Sequence, residues 1–329
     1  MLAKEFRLRH PFAIKRLPWL CRFYCAAYHR PAGLWQSRVL RVLFSIYYAF
    51  CRWSSGTFQY ERLGRFANIR FNARNLQFQS LYAPISRNGY EPEVSFLLDS
   101  LLPEGGTLLD IGSNWGYFAL YAASNREKFT VHAFEPMPQT YRDLTSCVDQ
   151  AGLSHRVTCH HLALSDADGE LFIQIPDGLH SGSAQVSQQC TTTRIPSRRL
   201  DTMLLPPPDF IKMDVEGHEI GVLRGAVNTL RSARPFLVFE NKPNSSGPEE
   251  ALEPLFFLAQ AGYKLFAPVF QRNVGGRPYY AQDWSRGQQA DLLVLLDLPP
   301  EDRLLWPADL NVFACHEERL AELSAKFTL

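Results

Sequence analysis

The sequence has no uninterrupted apolar run of the roughly 20 residues that a membrane-spanning helix needs. Its most apolar stretch, Val39 to Cys51, is about 13 residues long and contains Arg41, so a packed or interfacial helix is expected there. A secretory signal is also missing, because Pro11 and Pro18 interrupt residues 1–20. Cysteine is sparse and unpatterned: Cys21, Cys25, Cys51, Cys147, Cys159, Cys190 and Cys315 are odd in number. That excludes a disulfide framework and points to a reducing, cytoplasmic compartment. Cys21, Cys25 and His29 share a helix face but lack a fourth metal ligand, so they read as core residues.

Acidic residues are almost absent from the start of the chain. Residues 1–53 hold ten Lys or Arg against Glu5 alone, leaving 24 basic and 32 acidic residues beyond them. A segment of net charge +9 therefore precedes a body of −8. The basic residues are spaced among Leu, Phe, Tyr and Trp, a pattern that suits peripheral contact with an anionic membrane surface or a helical cap with solvated arginines. Nucleic acid is disfavoured as a partner, because the remaining chain has no basic-aromatic pattern and the pI is about 7.6.

What is present reads as three segments: a basic helical extension over 1–56, a short β-rich lead-in over 57–90, and a catalytic domain over 91–329. Phe58 to Tyr82 alternates loosely, as in a hairpin. From Glu91 onward, short apolar strands alternate with helices. Strands are expected at 107–109, 129–134, 157–162, 209–213, 236–239, 263–267 and 291–296, with helices at 91–102, 116–124, 138–150, 219–231 and 249–261. Residues 169–175 and 191–196 read as an antiparallel insertion. Such alternation specifies an α/β fold, a mostly parallel sheet covered by helices on both faces.

Three clusters carry chemistry. Strand Leu108-Leu109 runs into Asp110-Ile111-Gly112-Ser113-Asn114-Trp115-Gly116, where two glycines let the backbone approach a ligand. The Gly-x-Gly-x-x-Gly of a dinucleotide site is absent, since Asn114 stands at its second glycine. The spacing suits a nucleoside without phosphates. About 25 residues beyond Asp110, a second strand ends at Glu135, positioned to take ribose hydroxyls. A third strand delivers Asp214, with Glu216, His218 and Glu219 crowding the next turn. Helix-dipole preference accounts for Glu219 but not for Asp214 with His218. Glu240 closes the following strand.

Together, Asp110 to Gly116, Phe134-Glu135-Pro136, Ala163-Leu164-Ser165 and Ile211 to Glu219 resemble the FkbM-type methyltransferases. Arg199-Leu200-Asp201 and Val238-Phe239-Glu240 fit the same pattern, over about residues 90–242. The resemblance implies a class I methyltransferase fold, Rossmann-like with a seven-stranded sheet. It further implies S-adenosyl-L-methionine as donor, and O-methylation of a sugar, glycan, glycolipid or secondary metabolite. Carried over, Asp110, Gly112, Asn114 and Gly116 would hold the donor, Glu135 its ribose, and Asp166 its adenine edge. An alcohol acceptor must lose a proton, so His218 is expected as base, with Asp214 and Glu216 as rivals. A divalent ion on Asp214, Glu216 and Glu240 is a weaker alternative, and no metal is assigned. A non-catalytic adaptor and a nicotinamide-dependent oxidoreductase remain as competing classes.

Overall fold

The computed structural model describes residues 2–29, 33–86, 89–174, 185–187, 193–242, 247–272, 278–279, 291–306 and 309–327. Cys190 and Arg30 lie outside them, as do residues 175, 191 and 192 of the expected insertion. In chain order the strands are β1 (Leu2–Glu5), β2 (Phe12–Arg16), β3 (Ser55–Arg62), β4 (Arg65–Asn72), β5 (Thr107–Ile111) and β6 (Thr130–Phe134). They continue as β7 (Val157–His160), β8 (Ala163–Leu164), β9 (Gly169–Gln174), β10 (Gln185–Ser187), β11 (Thr193–Arg198) and β12 (Phe210–Met213). The last are β13 (Phe236–Asn241), β14 (Tyr263–Gln271), β15 (Pro278–Tyr279), β16 (Leu292–Asp297) and β17 (Leu310–His316).

The central sheet runs β1-β16-β14-β17-β13-β12-β5-β6-β7, with β15 paired to β14. From β13 through β12, β5 and β6 to β7 every pairing is parallel. Strand β17 lies antiparallel between β13 and β14. Strands β5 and β12 are buried on both faces and apolar apart from Thr107, Asp110 and Lys212. The order reverses at β5, which pairs with β6 on one side and β12 on the other, so a crevice opens beyond their carboxyl ends. Helices Pro92–Leu101, Tyr117–Ala123 and Pro138–Gln150 pack in one hydrophobic cluster with β5 and β6. Helices Glu219–Arg224, Val227–Ala233 and Pro248–Gln260 pack in the other.

This is the expected α/β class I sheet, and the strand expected at 291–296 is β16, but β17 between β13 and β14, β15 and β1 were not anticipated. The N-terminal segment differs from the expectation of helices throughout. Helices span Trp19–Tyr28 and Leu34–Phe50, but β1 completes the edge of the central sheet on β16, and β2 pairs with β3. Sequence separations of nearly 300 residues make the first pairing invisible to local pattern. The β2–β3–β4 sheet also joins the two segments expected to divide near residue 56. Residues Leu76–Leu81 form a 3-10 turn rather than a strand, begun by Asn75, whose side chain accepts the Gln77 N–H. The single helix expected over 219–231 breaks at Gly225, where a Cβ would stand 2.0 Å from the Ser165 carbonyl oxygen.

Candidate active site

The first turn is shaped by the path from β5 into helix Tyr117–Ala123. Gly112 has φ +74° and Asn114 φ +53°, and Asn is among the few side chains that tolerate this region. The N–H groups of Gly112 and Ser113 donate to the Phe134 carbonyl, tying the turn to β6. Glu135 then closes the loop. Its Oε2 accepts the Asn114 N–H at 3.0 Å and its Oε1 accepts the Met137 N–H at 2.8 Å. Burial pushes its pKa up to about 7 despite those two N–H donors. Each oxygen keeps a second lone pair for an incoming hydroxyl.

Strand β12 brings charge to the same edge. Lys212 is buried, with Nζ 3.8 Å from Asp110 and 3.7 Å from Asp214. Burial opposes its charge, but Asp214 and Asp110 together hold its pKa above the usual lysine value. Both carboxylate oxygens of Asp110 and Oδ1 of Asp214 are buried without a hydrogen-bond partner among the described residues. The Lys212 pairings therefore supply the compensating charge for two desolvated anions. Beyond Asp214, Glu216 (φ +53°) and Gly217 (φ +96°) turn the chain sharply.

A second charged group faces the first. Lys242 Nζ lies 2.7 Å from Glu216 and 2.8 Å from Glu240. Burial first, and Asp214 next, push Glu240 up to about 9. Carboxylate oxygens of Asp214, Glu216 and Glu240 lie within 4.8 Å of one another, a spacing that could hold a divalent ion. Such an ion would compete with the Lys242 ammonium for two of the three.

Two cavities meet at these residues. One is walled on its apolar side by Phe134, Met137, Leu162, Leu164 and Ile173, with Glu135 at its end. The other is lined by Gln77, Ser80, Tyr90, Glu91, Lys212, Glu240 and Lys242. Gly112, Asn114, Asp214 and Glu216 border both. The first is a slot for a flat apolar group with a carboxylate at one end; the second is polar and charged.

Of the residues expected from sequence, Gly112, Asn114, Glu135, Asp214, Glu216 and His218 therefore come together. Asp110 is buried behind the wall, and Gly116 lines neither cavity. Asp166 is exposed and also lines neither; its carboxylate accepts from the neighbouring Ser165 hydroxyl. His218 lines the slot, not the charged cavity, with Nε2 2.9 Å from Ser165 Oγ. Burial lowers its pKa. Glu91, Lys212 and Lys242 were missed. Lys212 had a signal, a lysine inside an otherwise apolar strand. Glu91 had only its place before Pro92, and it holds a left-handed φ of +40°. Burial raises Glu91 to about 7, Asp214 adding to it and Lys212 opposing.

Residues 110–265 match the profile of the methyltransferase FkbM domain. This segment is similar to FkbM-type methyltransferase domains. The matched segment begins at Asp110 and takes in both the slot and the acidic edge, while Gln77, Ser80, Tyr90 and Glu91 precede it. Its cofactor is S-adenosylmethionine. The slot fits that molecule: Glu135 offers free lone pairs to a ribose, and the apolar wall suits an adenine. The chain is similar to the hexuronic acid methyltransferase AglP of Haloferax volcanii, 33% identical over 46% of this chain and 62% of the relative. It is also similar to methyltransferase 1 of Beauveria bassiana, 26% identical over 37% of this chain and 59% of the relative. The chain thus spans about three fifths of the curated relatives it matches. Among solved structures, an FkbM methyltransferase from Methylobacillus flagellatus KT aligns with a TM-score of 0.38 and 15% identity, over 64% of this chain and 44% of that one.

Proposed function

We propose that this chain is an O-methyltransferase that moves a methyl group from S-adenosylmethionine to a hydroxyl of a sugar or related polyhydroxylated acceptor. The observation that carries the reading is the shared border: Gly112, Asn114, Asp214 and Glu216 line both the slot beside Glu135 and the polar cavity. When bound, the donor supplies an electrophilic methyl group on a sulfonium. Glu135 holds the ribose hydroxyls, and the turn from Gly112 to Asn114 lies along the donor. The charged cavity takes the acceptor. Its carboxylates, its two lysines, Gln77, Ser80 and Tyr90 offer the many donors and acceptors a polyol needs. The name of the Haloferax relative supports an acceptor of the sugar class.

Displacement at a sulfonium depends on alignment, which fixed residues bordering both sites provide. The acceptor hydroxyl must also give up its proton. Asp214 takes it, because this carboxylate borders both cavities. Glu91 and Glu216 flank it. Four of the acceptor-side residues, Gln77, Ser80, Tyr90 and Glu91, lie before the FkbM segment and so set which hydroxyl is presented. The test is transfer of isotopically labelled methyl from the donor to a panel of neutral and uronic glycosides. The reading requires label on a hydroxyl with wild-type protein and none with Asp214→Asn. Labelling of nitrogen or carbon acceptors instead would overturn it.

A further inference from the structure

Helix Leu34–Phe50 has two apolar faces, and one is uncovered. At about 100° per residue, Ser37, Leu40, Phe44 and Tyr48 fall on one side. Phe44 is fully buried there, its ring meeting Phe23, Tyr24 and Tyr28 of helix Trp19–Tyr28. Around the opposite side, Trp35, Val39, Val42, Leu43, Ile46 and Phe50 form a stripe about 100° wide. All six are exposed, Trp35 by 78% and Phe50 by 81%. Trp19 and Trp53, at the two ends of the helical hairpin, are exposed by 77% and 94%. An apolar area this continuous is not left to water without a use.

Charge selects the occupant. Arg38 flanks one edge of the stripe, while Arg41 lies farther round over the Tyr28 ring, and both belong to a segment of ten basic residues and one acid. A second copy of this chain would bring two such +9 segments together, whereas an anionic surface attracts them. The helix has 17 residues and two arginines, and no described helix is long and apolar enough to cross a membrane. Exposed tryptophans suit the boundary between headgroups and acyl chains.

We propose that helix 34–50 lies in the plane of an anionic lipid bilayer, with the Trp35, Ile46 and Phe50 face in the acyl boundary and Arg38 at the headgroup phosphates. The hairpin is tied to the acceptor side of the molecule. Tyr24 Oη donates to Gln79 Oε1 at 3.0 Å, and His29 Nε2 lies 3.0 Å from the same oxygen. Gln79 belongs to the turn whose Gln77 and Ser80 line the charged cavity. Docking the hairpin therefore holds that cavity at the membrane. Donor binding plays no part in this inference, so it stands or falls separately from the chemistry.

Co-sedimentation of the full chain with phosphatidylcholine vesicles containing about one third phosphatidylglycerol tests it. Wild type should pellet with these vesicles and not with pure phosphatidylcholine. Val42→Glu with Ile46→Glu should lower the partition coefficient by about tenfold or more, and Arg38→Gln should weaken it and reduce its salt dependence. Because these side chains face solvent, thermal melts should stay at the wild-type value, which separates lost docking from lost folding. Equal partitioning of wild type and the glutamate variant overturns the proposal. So does a dimer in light scattering that the glutamate variant dissociates.

Discussion

A Cβ on Gly112 would stand 1.8 Å from the carbonyl oxygen of Asp214. The turn that follows β5 and the strand end that carries the acid are thus in backbone contact, at a position with φ +74°. One contact sets both the donor's floor and the acceptor's wall. Gly112→Ala should cost about 2–4 kcal/mol, from overpacking and an unfavourable φ together. Urea unfolding measures this, and a midpoint equal to wild type would show that the two strands can separate without loss.

Lys212 should prove essential to the fold before it is tested for chemistry. Asp110 is wholly buried and Asp214 largely so, and Lys212 is the cation 3.8 and 3.7 Å from them. Lys212→Met keeps the stem but leaves a buried carboxylate uncompensated, a change that costs about 3–5 kcal/mol. Asp110→Asn in the same background should recover part of that loss. An additive double variant would mean that the two residues do not interact.

The raised carboxyls give a pH signature. Glu135 is pushed up to about 7, so it becomes fully anionic only above neutrality. A carboxylate accepts from two ribose hydroxyls better than the neutral acid does. Donor affinity should therefore rise as pH is taken from about 6 to about 8, and Glu135→Gln should bind weakly and without that slope. Stability should move the other way. Glu91 and Glu219 also sit at about 7, so the folded chain keeps protons that the unfolded one releases above its ordinary value of 4.5. The share of the unfolding free energy these carboxyls control, read as the difference from their Glu→Gln variants, should fall as pH rises across that interval. Glu240, raised to about 9, extends the fall above neutrality. Flat profiles in both experiments would contradict the burial of these groups.

The base assignment separates two residues four apart in sequence. Asp214→Asn should lower kcat by about 10²–10⁴ with donor affinity little changed. His218→Asn should leave kcat within about threefold and act, if at all, on donor affinity, because the ring lines the slot and contacts Ser165. The reverse split would restore the histidine as base.

Much of this was legible in the sequence. The apolar runs of β5, β6 and β12 and the punctuation at Gly112, Glu135 and Asp214 give strand ends, and strand ends of a parallel sheet share one edge. What local pattern cannot supply is partner identity across the chain. Strand β1 is defined by β16, Glu91 by the distant β12 edge, and the Gly225 break by a carbonyl of Ser165. The exposed Asp166 and the Ser165-bound His218 show the same limit. Residue type and spacing put both near the site, but the direction of the following turn decides which cavity each side chain meets.

The central claim, that the slot beside Glu135 binds the methyl donor, is tested most directly by calorimetric titration with S-adenosylmethionine and S-adenosylhomocysteine, using wild type and Glu135→Ala. The account predicts saturable binding of both ligands to wild type, weakened by about 100-fold or more in the folded variant. Wild-type protein that is folded and binds neither, or a variant that binds both unchanged, would contradict it.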